Sequence, residues 1–361
     1  MRTLIGYVTR VFLAQLALML TAFVVLMQIL DLLNSADQLF RRHGDDPLVL
    51  LRYAGLRLPE LVTFMLPFSV LMASLLALAR LAHNNEVLAL KAAGMSFYKL
   101  LSCFVPAALA VAVLHFVFSD QLTPLAARAL DNWEAKSRAV AASQAEGAKP
   151  AVWVRDGSTI ARVAGILRDG NELRGVTLFL RDARGNLRQH LTARRAVYAD
   201  GAWRLFDVEP RLISSTGTVA SAWLAEAPWQ TKLTPDHFSD LSAPPTTLSL
   251  KELAAFVANP GVGNRPTYFY ETWLHKRLAI PVASFLMVLL AAPVAQGLRR
   301  HGGIAAGLTA GVGLGFLFFV TDGLVLALGE AGALPPALAA WSATVVFASV
   351  GGAALIRMEG Y

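Results

Sequence analysis

Six apolar stretches, each long enough to cross a bilayer, divide three and three around a polar segment of roughly 150 residues. The stretches are residues 11–33, 58–81, 100–118, 278–298, 303–328 and 333–356. Each holds about 19 to 26 residues, enough at ~1.5 Å per residue to cross a ~30 Å hydrocarbon core with some tilt. The chain is therefore expected to be a polytopic α-helical membrane protein with six transmembrane helices and a domain inserted at its middle. Composition agrees: 55% hydrophobic and 16% charged residues with a mean hydropathy of +0.51 do not suit a soluble chain of 361 residues. The net charge of +7 reads as membrane topology, because no RNP, zinc-finger or basic-helix pattern supports nucleic-acid binding.

The first span is too long for a signal-peptide core and lacks an A-x-A-like cleavage site, so it is expected to remain as a signal anchor. A single cysteine, Cys103, cannot form an internal disulfide, and its place at the start of an apolar helix favours inert packing.

Counting Lys and Arg near span ends sets the orientation. With the N-terminus in the cytoplasm, the inner segments hold Arg2, Arg10, Arg80, Lys91, Lys99, Arg299, Arg300 and Arg357. The outer segments hold Arg41, Arg42, Arg52, Arg57, Lys276 and Arg277. Both termini then lie inside and the large insert outside, with the outer Arg cluster running against the rule. Two readings of that cluster stay open. Arg41, Arg42 and His43 form either a solvated loop balanced by Asp37, Asp45 and Asp46, or an anion-binding rim where Arg grips phosphate in a bidentate fork.

The insert begins with an amphipathic extension of the third helix over residues 125–144. Beyond Gly147 and Pro150 the period changes to alternation, with strands expected over 152–154, 175–180, 191–198, 203–208 and 219–224. Turn chemistry at Asp156-Gly157 and Asp200-Gly201 marks hairpins and suggests a sandwich, jellyroll or open barrel. A polar linker over 234–247 leads to a short helix announced by the capping box of Ser249 and Glu252 and stopped at Asn259-Pro260-Gly261.

Gly303, Gly307, Gly311 and Gly315, four apart in the fifth span, make a groove that lets another backbone approach closely. Packing within this chain and a movable contact between subunits both fit. Ionisable groups inside spans are few: Asp31 and His115 lie near span ends, while Asp322 lies deep in the fifth and suits a relay or a gate. It has no evident companion in the sequence. Residues 79–95 read as a short amphipathic helix ended by Gly94, either lying at the interface or inserting into a motor protein.

Four segments, LARLAHNNEVLALKAAGMS (78–96), DQLFRRHG (37–44), WLHKRLAIPVASF (273–285) and LTPDHF (233–238), resemble the LptF/LptG permeases of the lipopolysaccharide export ABC transporter of Gram-negative bacteria. The resemblance covers essentially the whole chain, and DQL followed by basic residues favours the LptG branch. It implies an inserted periplasmic all-β jellyroll-like domain, with an apolar groove for acyl chains and an edge open to strand addition. It divides the chain into 1–119 (spans one to three, with a coupling helix over 80–94), 120–150 (helical extension), 151–235 (jellyroll), 236–273 (linker with short helix) and 274–361 (spans four to six).

By the same resemblance Arg80, His83, Glu86 and Lys91 serve ATPase coupling, with Glu86 as the acidic contact. Arg41 and Arg42 meet lipopolysaccharide phosphates, and Asn34 stands where relatives can carry a Lys. The first and fifth spans line lateral gates, giving Gly303, Gly307, Gly311, Gly315 and Asp322 a gate or interface role. The implied partners are an LptB-type ATPase dimer, an LptF-type permease, an LptC-type membrane-anchored jellyroll, an LptA-type periplasmic bridge and lipopolysaccharide. No cofactor is expected in this chain, ATP being used by the partner: there is no G-x-x-x-x-G-K-[ST] loop, G-x-S-x-G elbow or H-E-x-x-H pair. The alternative is a stand-alone secondary transporter or another lipid-handling membrane protein.

Overall fold

Hydrocarbon offers a backbone no hydrogen-bond partner, so each apolar stretch has to close its own bonds as a helix. The computed structural model describes residues 2–43, 46–142, 152–167, 170–182, 186–214, 217–220, 222–231, 233–235, 238, 245–259, 265–301 and 303–359. Among these, six helical spans are long and apolar enough to cross a membrane: Arg2–Arg41, Pro47–His83, Phe97–Glu134, Thr267–Ala295, Gly307–Glu330 and Pro336–Arg357. Residues Met1–Arg138 and Thr272–Tyr361 form a helical unit, and Ala139–Glu271 form a second unit built on strands.

In the helical unit, α1 (Arg2–His43) is followed by α2 (Pro47–His83). The α2 start is written locally: the Asp46 carboxylate accepts from the Leu48 N–H at 2.9 Å, and Pro47 gives up only a donor that had no helical partner. Because α1 runs through His43, Arg41 and Arg42 sit on its last turn rather than in a loop, where cations complement the helix dipole. Asp45 of the expected loop and the Arg42 side chain lie outside the described residues.

The single helix expected over 80–94 is broken in two. Asn84 ends α2, and Asn85 takes a left-handed φ of 59°, a conformation Asn tolerates better than most residues. Only then does α3 (Glu86–Ala92) begin, ending before Gly94 at φ 77°. Arg80 and His83 thus belong to the end of α2, whereas Glu86 and Lys91 lie on α3.

The third span is also composite. It comprises α4 (Phe97–Ser102), α5 (Val105–Val117), a π-helical turn at Phe118–Leu122, and α6 (Thr123–Ala142). Pro106 cannot donate to the Ser102 carbonyl, which is where α4 stops.

The sheet unit holds β1 (Val152–Asp156), β2 (Thr159–Leu167), β3 (Glu172–Arg181), β4 (Leu187–Ala199), β5 (Ala202–Ser214), β6 (Gly217–Ala220) and β7 (Leu224–Trp229). All pairs are antiparallel; β1 to β6 follow chain order, and β7 returns to pair with β5, sharing its far edge with β6. This is meander connectivity. Register puts one face inside: Val163 pairs with Val176, Val176 with Ala193 and Ala193 with Val208, and all four are at most 1% exposed. The Asp200-Gly201 hairpin has both φ values positive, at 54° and 80°, as a two-residue turn matched to strand twist requires.

Strand β2 was not expected, because its Ala and Gly blunt the alternation in Thr159–Leu167. The expected strand over 219–224 is split between the ends of β6 and β7. Trp203, 1% exposed, donates from Nε1 to the Leu233 carbonyl at 2.8 Å and packs with Trp229 and Phe238. Asp236 and His237 of LTPDHF, Gly147, Pro150, and most of the linker and the Pro260-Gly261 stop lie outside the described residues.

After the sheet, α7 (Leu250–Ala258) carries the capping box of Ser249 and Glu252 in full. The chain closes with α8 (Thr267–His301), α9 (Gly303–Glu330) and α10 (Pro336–Glu359).

Candidate functional site

Proline inside α2 creates the first polar joint. Pro67 has no N–H, so the Thr63 carbonyl four residues back loses its helical partner. His115 of α5 supplies one: its Nε2 lies 3.1 Å from that carbonyl and its Nδ1 lies 2.7 Å from Ser284 Oγ of α8. A carbonyl only accepts, so Nε2 carries the proton, and in the neutral ring Nδ1 accepts from the Ser284 hydroxyl. His115 is 1% exposed, so the sequence expectation of a histidine near water at a span end is corrected. It buckles three helices together.

The π-helical turn makes the second joint. Such a turn disturbs the regular ladder and leaves carbonyls open to outside donors. Arg277 of α8, 3% exposed, donates to the Ser119 carbonyl at 2.9 Å and to Ser119 Oγ at 2.7 Å. Beside it Thr123 Oγ1 donates to the Phe118 carbonyl at 3.2 Å and meets Thr63 Oγ1 at 3.1 Å. The polar groups in this part of the interior are therefore bonded to one another and to backbone.

On the other side of α8, Lys276 Nζ bonds both carboxylate oxygens of Asp322 on α9. The two side chains are 8% and 14% exposed. Asp322 thus has the companion that the sequence did not reveal. Counting Lys276 as an outer flank hid it, since α8 starts at Thr267 and has made about two and a half turns by that residue. Higher on the same pair of helices, Trp273 Nε1 donates to Glu330 at 2.7 Å.

Of the glycine stripe, Gly311 and Gly315 pack against α2 of the same chain. A Cβ on Gly311 would lie 2.1 Å from Leu75 Cδ1, and one on Gly315 would lie 2.7 Å from Phe68 Cε2. Gly307 is buried, while the surroundings of Gly303 lie outside the described residues. The opposite face of α9 is open, with Val312, Phe316, Val320 and Leu324 all exposed. Helix α1 also keeps an apolar face out, through Leu18, Val25, Ile29 and Leu33.

At the end of α1, Asn34 and Arg41 are exposed. One turn earlier, Asp31 faces Arg57 of α2 at 3.6 Å, and Arg57 also pairs with Glu60. Ser35 meets Tyr53 at 3.3 Å, and Arg52 lies over the Trp133 ring at 5.5 Å. Two of the arginines that ran against the charge rule, Arg52 and Arg57, are therefore engaged with neighbours on α1, α2 and α6.

Around α3 the structure gathers fewer of the expected residues than the sequence suggested. Arg80, His83 and Lys91 are exposed, while Glu86 turns back toward α1, accepting from Tyr7 Oη at 2.9 Å and from Asn84 Nδ2 at 3.2 Å. Tyr7 had no signal in the sequence, because nothing links positions 79 residues apart until the helices are folded.

Six spans with bonded polar joints around α8, two helices with open apolar faces and an inserted antiparallel sheet have the build of a membrane-embedded transport subunit. The family described as "Lipopolysaccharide export system permease LptF/LptG" matches residues 6–357, and the chain belongs to it. It is thus a permease subunit of a lipopolysaccharide export system and a multi-pass inner-membrane protein. Similar proteins include the lipopolysaccharide export system permease protein LptG of Haemophilus influenzae, 26% identical over 272 residues, which are 75% of each chain. The LptG of Escherichia coli K12 is 22% identical over 328 residues, 90% of each chain.

Proposed function

We propose that this permease extracts lipopolysaccharide from the outer leaflet of the inner membrane and passes it through its sheet domain, held in the periplasm, to an LptA-type bridge. Lifting the acyl body out of lipid costs about 0.8 kcal/mol per CH₂, so release needs a driven step. An LptB-type ATPase dimer hydrolyses ATP for it, and an LptF-type permease completes the cavity, with an LptC-type jellyroll alongside. Export is physical work done by helix movement, and this chain contributes walls, a rim and a lever.

The observation that carries this reading is the unequal burial of the spans. Only 11% of the most apolar window of the first span and 17% of the fifth are buried, against 72% of the second. Helices left open on this scale suit the walls of a cavity shared with a second permease. In this assignment Gly311 and Gly315 pack inside the chain, and the open face of α9 meets the partner. The Lys276–Asp322 pair fixes the depth of α9. Arg41 and Arg42, on the last turn of α1 with Asn34 below them, offer a cationic rim to lipid phosphates. Glu86 and Lys91 on α3, with Arg80 and His83 beside them, meet the ATPase.

Reconstitution tests it. The chain co-purified with the ATPase and the second permease, placed in vesicles carrying lipopolysaccharide, should deliver lipid to a soluble bridge protein only with ATP. Delivery driven by a proton gradient through this chain alone would overturn the reading. So would labelling of a Trp223→Cys probe in Cys103→Ser background only from the cytoplasmic side.

A further inference from the structure

Glu86 stands at the first position of α3 with its carboxylate turned toward the chain's opening helix. The Tyr7 hydroxyl of α1 and the Asn84 amide both donate to Oε1, and among the described residues no hydrogen bond reaches Oε2. A carboxylate accepts at both oxygens, so an outside cation can take Oε2 while Oε1 stays bound to α1. The flanking residues divide in the same way. Val87 is 6% exposed and belongs to the buried cluster that includes Val8 and Phe12 of α1, whereas Leu88 is 54% exposed and Lys91 points to solvent. One side of α3 is buried and carries the Glu86 bond to Tyr7 of α1, and the other is exposed.

The joint between α3 and α2 is of another kind. It passes through Asn84 and the left-handed Asn85, a single-residue bend with no side-chain cap bond from Asn85. Asn84 also donates to Glu86 across this bend, so the carboxylate is bonded on one side to the end of α2 and on the other to α1.

We propose that Tyr7 is a positioning residue for ATP coupling: its hydroxyl ties the Glu86 carboxylate to α1, so that a basic side chain of the ATPase drawing on Glu86 moves this flanking helix directly. This rests on the reading of α3 as the ATPase contact and α1 as a cavity wall. It gives nucleotide state a side-chain contact with α1 beside the path that the chain takes through α2.

The test uses the assembled transporter with its ATPase, in vesicles carrying lipopolysaccharide. Tyr7→Phe removes one oxygen and is expected to lower lipid delivered per ATP hydrolysed about three- to tenfold, the factor corresponding to one net hydrogen bond. Spin labels at Leu33→Cys on α1 and Val345→Cys on α10, in Cys103→Ser background, should show a nucleotide-dependent distance change that Tyr7→Phe abolishes. Tyr7→Gln, which restores a donor, should recover part of both. An unchanged yield per ATP with the distance change intact overturns the proposal, as does failure of Tyr7→Phe to assemble, which would make the hydroxyl structural. Glu86→Gln separates the underlying reading: normal capture of the ATPase by that variant removes α3 as its contact, whatever Tyr7 does.

Discussion

Helix α8 is held on its two sides by different kinds of joint. Toward α2 and the third span it is pinned by hydrogen bonds that end on backbone carbonyls, directly through Arg277 to the π-helical turn and by way of Ser284 and His115 to α2. Such bonds have a direction and a length, so they fix register. Toward α9 it is joined by the Lys276–Asp322 pair and the Trp273–Glu330 bond, while α9 itself rests on α2 along a seam of glycines. A glycine seam fixes close approach by shape and van der Waals contact, without the directional bonds that set register on the other side. The contrast separates a body joined by directional polar bonds from a flank, α9, held by shape, one ion pair and one hydrogen bond, and whether that flank is movable is what substitution in the tie and the seam decides.

The largest effect should come from the tie between them. Asp322→Asn leaves the Lys276 charge buried without its carboxylate and should cost about 3–5 kcal/mol in stability, read from unfolding in mixed detergent micelles. The double variant Lys276→Met with Asp322→Leu should recover most of that loss, because the penalty lies in the stranded charge. If Asp322→Asn alone unfolds at the parent's midpoint, the pair is not sequestered and the division loses its latch.

Next in size is the seam. Gly315→Leu drives a side chain into Phe68 and Leu71 and should cost about 1–3 kcal/mol by overpacking. The same measurement, together with co-purification of the second permease proposed above, separates two uses of the stripe. Loss of stability in the isolated chain fits packing within it. Loss of partner with stability intact would move the stripe to a subunit interface.

The sequence makes the two sides unequally visible. The spans follow from apolar length alone, the capping box of Ser249 and Glu252 from local chemistry, and the Asp200-Gly201 hairpin from a turn that needs positive φ twice. Joints between helices are another matter. Arg277 and Ser119 lie 158 residues apart, and His115 and Ser284 lie 169 apart, and no local pattern couples them. Lys276 looked like a flank charge because the apolar window begins later than the helix does. A better signal was present in Pro67: a proline deep in a span announces an orphan carbonyl four residues earlier, and a histidine elsewhere in the spans is a fitting donor. The break at Asn85 was missed because amphipathic spacing continues across it.

That signal yields the third prediction. His115→Leu strands the Thr63 carbonyl and should cost about 1–3 kcal/mol. In a Pro67→Ala background the restored N–H at position 67 can serve that carbonyl, so the same substitution should cost about 1 kcal/mol less. A double-mutant cycle by detergent unfolding gives the coupling directly. Zero coupling would mean that His115 acts through Ser284 alone.

The smallest effect lies on the α9 flank itself. Gly313 is two residues from Gly311 and two from Gly315, yet nothing lies within 4 Å of where its Cβ would be. Gly313→Ala should therefore leave the seam untouched and gain about 0.5–1 kcal/mol from helix propensity. Stability and transport respond separately here. If α9 works as a rigid wall, the gain leaves lipid delivered per ATP unchanged; if α9 bends at its glycines, delivery falls as stability rises. The second outcome would put the moving part inside α9, and the Lys276–Asp322 tie would then anchor one end of a flexing helix instead of holding a sliding one.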